Sequence, residues 1–145
     1  MSIRAATLAD EQGVIGLWEA CGLTRPWNDP GADFRRALSS PSSTVLLDDG
    51  AEGRDERGAP LATAMFGFDG HRGWVYYLAV VPAARGRGLG RSILDEGLSW
   101  LIDLGCPKVE LMVRDANPAT TFYEHLGWQV EPVRVYSHWL HGKDT

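Results

Sequence analysis

The sequence predicts a single mixed α/β domain spanning residues 1–145, with the element order βααβββαβαβ and room for one more strand at the end. Three observations carry that prediction. A chain of 145 residues is the size of one compact domain. Segments in which apolar and polar residues alternate, the mark of a half-buried strand, interchange with segments whose apolar residues recur at helical spacing. Glycines and prolines punctuate the junctions between them.

Residues 3–5 form a short strand, after which Thr7 with Asp10 three positions on opens a helix carrying Val14, Ile15, Leu17 and Trp18 and ending near Gly22. Asp29 supplies a helix cap and Pro30 the first helical position, with Phe34, Ala37 and Leu38 on the apolar side. The apolar runs 44–47 and 61–66 read as strands. Between them, residues 48–60 hold five acids and two arginines with nothing expected in a core, so this stretch reads as a long solvated connection. Residues 69–73 look like a tight hairpin turn into a strand over 74–81, which Pro82 stops.

The most regular helix carries Leu89, Ile93, Leu94, Leu98, Leu101 and Ile102, with Gly105 and Pro107 as its stop. Val109, Leu111 and Val113 alternate with Glu110, Met112 and Arg114 as a strand should. Asn117 and Pro118 open a last helix that closes at Gly127, and the alternation of Val133, Val135 and Ser137 predicts one or two strands within 128–140.

Charge and composition exclude several function classes. The formal net charge is −5 and the pI about 5.3, which argues against general binding of nucleic acid or of anionic membranes. The longest uncharged apolar stretch, 73–84, is too short for the roughly 20 residues of a membrane span. The first residues lack an apolar leader core, so the expected location is cytoplasmic. Cys21 and Cys106 stand far apart without a C-x-x-C pattern and read as reduced thiols. His138 and His141 have no cysteine or carboxylate at ligand spacing, so no metal is expected.

The informative segment is the turn Arg85-Gly86-Arg87-Gly88-Leu89-Gly90-Arg91, which joins a buried strand to an amphipathic helix. Glycines allow positive φ and close approach to backbone amides, and a helix N-terminus adds unpaired N–H groups and partial positive charge. Three arginines in an acidic chain point to a phosphate-bearing ligand. The dinucleotide fingerprint fails because position 91 is arginine, and no Gly-Lys-Ser/Thr exists for a P-loop. The plain alternative is a tight turn with solvated arginines.

These residues match the Arg/Gln-x-x-Gly-x-Gly/Ala pattern of the GNAT superfamily of N-acetyltransferases, and the element order resembles theirs along nearly the whole chain. Residues 25–30, 69–73 and 106–108 look more specifically like the small bacterial acetyltransferases of the YpeA type. The resemblance implies a central mixed, mostly antiparallel sheet with flanking helices, and acetyl-CoA as co-substrate. It implies that the amides of Arg85, Gly86, Arg87, Gly88, Leu89, Gly90 and Arg91 hold the CoA pyrophosphate. It also implies that Leu78, Ala79 and Val80 pair with the pantetheine arm, and that the backbone of Val80 stabilises the tetrahedral oxyanion.

Residues 117–128 resemble the second signature of the family, which makes Tyr123 the proton donor to the leaving thiolate. Packing in an aromatic cluster is the alternative for Tyr123. Asn117 would contact CoA, but it precedes Tyr123 by six residues where relatives have seven, so a role as helix cap stands beside that one. A glutamate that relatives acetylating protein N-termini carry in the strand is Met112 here.

Glu110, Asp69, His71 and Asp29 are candidate bases, each with a structural alternative as strand carboxylate, turn residue, loop residue and cap, and a water chain that deprotonates the amine is the alternative to all four. An acceptor pocket is expected between Trp27, Asn28 and Asp29 and the turn 69–73, facing Trp74, Tyr76 and Tyr77, and suited to a small cationic amine. The expected function is acetyl transfer to a primary amine of a small molecule by direct attack, by a protein that allows a homodimer. The alternatives are acetylation of a peptide N-terminus or protein lysine, or an inactive regulatory domain that binds a CoA thioester.

Overall fold

Five strands in the order β1-β2-β3-β4-β5 make one mixed sheet in the computed structural model, which describes residues 2–50 and 59–141. They are β1 (Ile3–Ala5), β2 (Ser43–Asp48), β3 (Ala62–Phe68), β4 (Gly73–Val80) and β5 (Val109–Leu111). The first four pair antiparallel and β5 lies parallel to β4, in the register Gly73 with Val109, Trp74 with Glu110 and Val75 with Leu111. The expected order is met from the first strand through the fourth helix.

The described residues divide into a body, 2–111, and a C-terminal unit, 112–141. In the body, a 3-10 turn (Leu8–Asp10), which Asp10 closes by accepting the Thr7 amide at 2.8 Å, leads into α1 (Glu11–Ala20). Asp29 caps α2 (Pro30–Ser39) by accepting the Ala32 amide at 3.1 Å. Both helices cover one face of the sheet, where Val14, Leu17, Trp18, Phe34 and Ala37 pack with Val45, Leu47 and Ala79.

Helix α3 (Leu89–Asp103) covers the other face. Gly97 sits directly on Phe66: a Cβ there would lie 2.0 Å from the ring, so only glycine lets the helix approach this closely. Ile93, Leu94 and Leu101 are buried as their spacing predicts, but Ile102 is 69% exposed because it falls past the edge of the buried stripe. Gly105, at φ +84°, ends the helix as expected.

Three expectations are corrected. The ends of the connection 48–60 do enter the core: Asp48 closes β2 and is buried, as is Pro60, and Asp49, Gly50 and Ala59 are half-buried, while residues 51–58 lie outside the described residues. The strand expected over 109–113 stops at Leu111. The strands expected within 128–140 are not present among the described residues. There Val130, Val133, Val135, Tyr136 and Leu140 are exposed, because alternation makes a strand only where a partner supplies the other half of the hydrogen-bond ladder.

In the C-terminal unit, α4 (Ala119–His125) ends in a Schellman turn, with the Trp128 amide bonded to the Tyr123 carbonyl at 3.0 Å and Gly127 at φ +92°.

Candidate active site

The strand β4 carries the irregularity that shapes the site. Its pairing with β3 slips between Thr63 and Met65, opposite Tyr76 and Ala79, and Tyr77 in the slip has φ +55°, the left-handed region. An aromatic residue there costs about 1–3 kcal/mol, which its side-chain contacts must offset. The ring stacks on buried Trp18 at 3.9 Å and 10°, and its hydroxyl donates to Asp33 of α2 at 2.7 Å. Asp33 also accepts from Arg36 at 2.6 Å. Burial first and the Asp33 carboxylate second push the Tyr77 phenol well above its ordinary pKa, so it stays a hydrogen-bond donor. Sequence reasoning placed Tyr77 in an acceptor wall and missed this anchoring role.

Beyond Val75, β4 has no strand partner on the β5 side among the described residues. The register decides what that open edge presents. The Val81 amide bonds to the Leu61 carbonyl at 2.8 Å, so the next pair, Val80 with Ala62, is a non-hydrogen-bonded one. Val80 therefore points its own N–H and C=O away from β3, toward the open side. Its carbonyl accepts from the Cys21 thiol at 3.4 Å and from the Arg85 Nε at 3.3 Å.

The edge runs straight into the glycine turn. A 3-10 turn (Pro82–Ala84) leads to Gly86 at φ +86° and Gly88 at φ +77°, which is the N-cap of α3. The first backbone bond of the helix runs from the Ser92 amide to the Gly88 carbonyl at 3.0 Å. The amides of Leu89, Gly90 and Arg91 thus have no partner within the helix. A Cβ on Gly86 or Gly88 would meet nothing within 4 Å, so conformation and not crowding requires glycine here. Arg87 and Arg91 stand exposed, and their side chains make no ion pair or hydrogen bond among the described residues.

The expected acceptor residues have definite local partners. Asp69 accepts the His71 and Arg72 amides, both at 2.8 Å, and Trp74 Nε1 at 3.1 Å. The Arg72 amide first, then the His71 amide and the indole, hold its carboxyl down to about 2, so it is an ionised anchor of the turn and a weak base. Trp74 and Tyr76 lie stacked with centroids 6.4 Å apart, and Tyr76 is 41% exposed. Burial, and then the Asp69 charge, raise the Tyr76 pKa.

His71 is exposed, and Glu110 on β5 pairs with Arg72 at 3.4 Å. Asp29 caps α2, Asn28 is exposed with its amide on the Arg25 carbonyl at 3.1 Å, and Trp27 is half-buried. The structure thus brings Asp69, Trp74 and Tyr76 together.

In the C-terminal unit, Tyr123 is half-buried beside Phe122 at 5.1 Å and Trp128 at 5.8 Å. Burial pushes its phenol up to about 12, which keeps the hydroxyl protonated at neutral pH. Asn117 accepts the Ala119 amide at 2.8 Å through its side-chain oxygen, the contact of a helix-start residue.

A left-handed bulge, an open strand edge and a glycine turn at a helix N-terminus form one continuous path in the body. The family model described as "Acetyltransferase (GNAT) family" matches residues 12–128, a span that contains this whole path. The chain belongs to the GNAT acetyltransferase family. Acetyltransferase YE1169 of Yersinia enterocolitica is 40% identical over 132 residues, which cover 90% of this chain and 89% of that protein. Among solved structures, a candidate acetyltransferase from Agrobacterium tumefaciens str. C58 superposes with a TM-score of 0.73 at 25% identity, covering 96% of this chain and 100% of that one. A protein from Clostridium acetobutylicum solved with acetyl-CoA shares the fold, with a TM-score of 0.74 at 16% identity over 94% of this chain and 95% of the other. This GNAT chain is therefore an acyltransferase, and its described residues form a five-stranded mixed sheet and four α-helices.

Proposed function

We propose that this GNAT protein transfers the acetyl group of acetyl-CoA to a primary amine of a small molecule, by direct attack of the neutral amine on the thioester. The observation that carries the reading is the continuity of the open β4 edge with the glycine turn. An edge strand offers alternating N–H and C=O groups to an extended amide chain, and pantetheine is such a chain. At its end, two positive-φ glycines with open space beside them and the three first-turn amides of α3 make a cradle for a pyrophosphate. Arg87 and Arg91 add positive charge on the same turn. The Clostridium neighbour holds acetyl-CoA in the same fold.

On this reading, the Val80 N–H on the open edge donates to the oxyanion that forms when the amine adds to the thioester carbonyl. Collapse of that intermediate breaks the carbon–sulfur bond; Tyr123, the general acid that the resemblance of residues 117–128 implies and that burial keeps protonated at neutral pH, gives its proton to the thiolate, and the proton that the nitrogen sheds on becoming an amide passes to solvent, from which the tyrosinate is reprotonated. Asp69, held ionised beside Trp74 and Tyr76, suits attraction of an ammonium ion rather than its deprotonation.

A thiol-release assay with acetyl-CoA and a panel of amino acids, polyamines, aminosugars and short peptides tests the proposal. Turnover should be highest with a small primary amine. Preference for peptides would move the acceptor to proteins, and acetyl-CoA binding without turnover on any amine would leave a thioester-binding regulatory domain.

A further inference from the structure

We infer that the Cys21 thiol and the Arg85 guanidinium form a two-part clamp on the Val80 carbonyl, which makes both of them positioning residues for the thioester-binding edge of β4. The inference rests on the proposed acetyl-CoA reading for its functional consequence and on the geometry alone for the clamp itself.

Three contacts close a triangle. Cys21 donates its S–H to the Val80 carbonyl at 3.4 Å, Arg85 donates Nε to the same oxygen at 3.3 Å, and Arg85 Nη2 reaches the Cys21 sulfur at 3.6 Å. A thiol has one proton to give and lone pairs to accept, so both of its bonds are chemically consistent. The donors come from separate elements, Cys21 from the C-terminal cap of α1 and Arg85 from the start of the glycine turn. They meet on a carbonyl that the strand register turns away from β3, where no strand among the described residues receives it. An unpaired edge carbonyl swings with its peptide plane. Fixing it sets the backbone at Val80 and the angle at which β4 enters the turn.

The same geometry separates Arg85 from its neighbours. The Arg87 and Arg91 side chains are exposed without partners among the described residues, whereas the Arg85 side chain folds back onto the body. The phosphate-facing charge of the turn is thus Arg87 and Arg91, and Arg85 acts through Val80.

Acetyl-pantetheine, which has the thioester and the amide arm of acetyl-CoA but neither the pyrophosphate nor the ribose phosphate, discriminates the two roles. Arg85→Ala should lower kcat/KM by the same factor, about tenfold, with acetyl-CoA and with acetyl-pantetheine, since the clamp serves the part they share. Arg87→Ala should lower it with acetyl-CoA only. Cys21→Ala should show a smaller loss with both donors, Cys21→Ser should recover part of it, and the double variant with Arg85→Ala should lose less than the product of the single losses.

Independently of turnover, the carbon-13 resonance of the Val80 carbonyl should move upfield in Arg85→Ala and in Cys21→Ala and stay in place in Arg87→Ala. A loss in Arg85→Ala confined to acetyl-CoA would make the guanidinium a phosphate ligand and overturn the inference. So would a Val80 carbonyl resonance unmoved in both variants. If the parent protein turned over neither thioester, the acetyl-CoA reading would fall, and the carbonyl shift would still decide the clamp.

Discussion

Gly88 is where fold and function can be separated by substitution. It caps α3 at φ +77°, and a Cβ added there would meet nothing within 4 Å, so a side chain encounters no clash in the protein itself. The strain of left-handed backbone then sets the cost, about 1 kcal/mol for alanine and roughly 2 kcal/mol for a β-branched valine. For a chain of this size, each kcal/mol lowers Tm by about 2–4 °C, so Gly88→Ala should lose about 3 °C and Gly88→Val about 6 °C. Both variants stay folded.

Relief of that strain requires a negative φ, which swings the following amide out of the cradle. Loss of even one or two charge-assisted hydrogen bonds, at about 1.5–3 kcal/mol each, weakens acetyl-CoA by roughly 10²-fold. Asparagine tolerates the left-handed region and should keep most of the affinity. Titration calorimetry with acetyl-CoA and thermal melts on the Asn, Ala and Val series measure both quantities. A folded Gly88→Val protein that binds acetyl-CoA as tightly as the parent would falsify the assignment of this turn as the pyrophosphate cradle.

Tyr123→Phe keeps the ring packing with Phe122 and Trp128 and removes only the hydroxyl, so kcat should fall by roughly 10²–10⁴ with little change in acetyl-CoA affinity. Turnover within twofold of the parent under chemistry-limited conditions would make Tyr123 structural. Because burial raises its pKa to about 12, the alkaline side of the pH–rate profile should show no fall from Tyr123 ionisation up to about pH 10, the ordinary phenol value. Gly97→Ala places a Cβ about 2.0 Å from the Phe66 ring and should cost at least about 1–3 kcal/mol in denaturant unfolding, with partial recovery in combination with Phe66→Leu. Asp10, held at about 2 first by its hydrogen bonds to Arg4, is lowered from an ordinary 3.8, so its contribution is present above about pH 4 and lost as pH falls through about 2. Asp10→Asn should therefore be less stable by about 1 kcal/mol at pH 7 and converge with the parent near pH 2.

Local physics made most of the fold legible in the sequence. The caps at Asp10 and Asp29, the stop glycines at Gly105 and Gly127, the hairpin turn at Asp69 and the buried stripe of α3 depend on side chains within a few residues of one another. Their spacing alone therefore states them. The glycine turn was legible for the same reason: positive φ at Gly86 and Gly88 and free amides at a helix start are properties of a short stretch of backbone.

What the tertiary structure decided involves partners distant in the chain. Tyr77 looked like one more aromatic of a strand, and only the pairing slip against β3, with Trp18 and Asp33 arriving from two helices, makes it the anchor of a bulge. Asp48 and Pro60 looked solvated and are buried, since the neighbouring strands fix where they lie. The alternating Val133 and Val135 predicted a strand that is absent among the described residues, because alternation records which side a residue would face and not whether another strand is there to pair with it. The Val80 carbonyl, 59 residues from Cys21 in sequence, has no sequence signature at all, since a backbone group is the same at every position and only the fold decides what faces it.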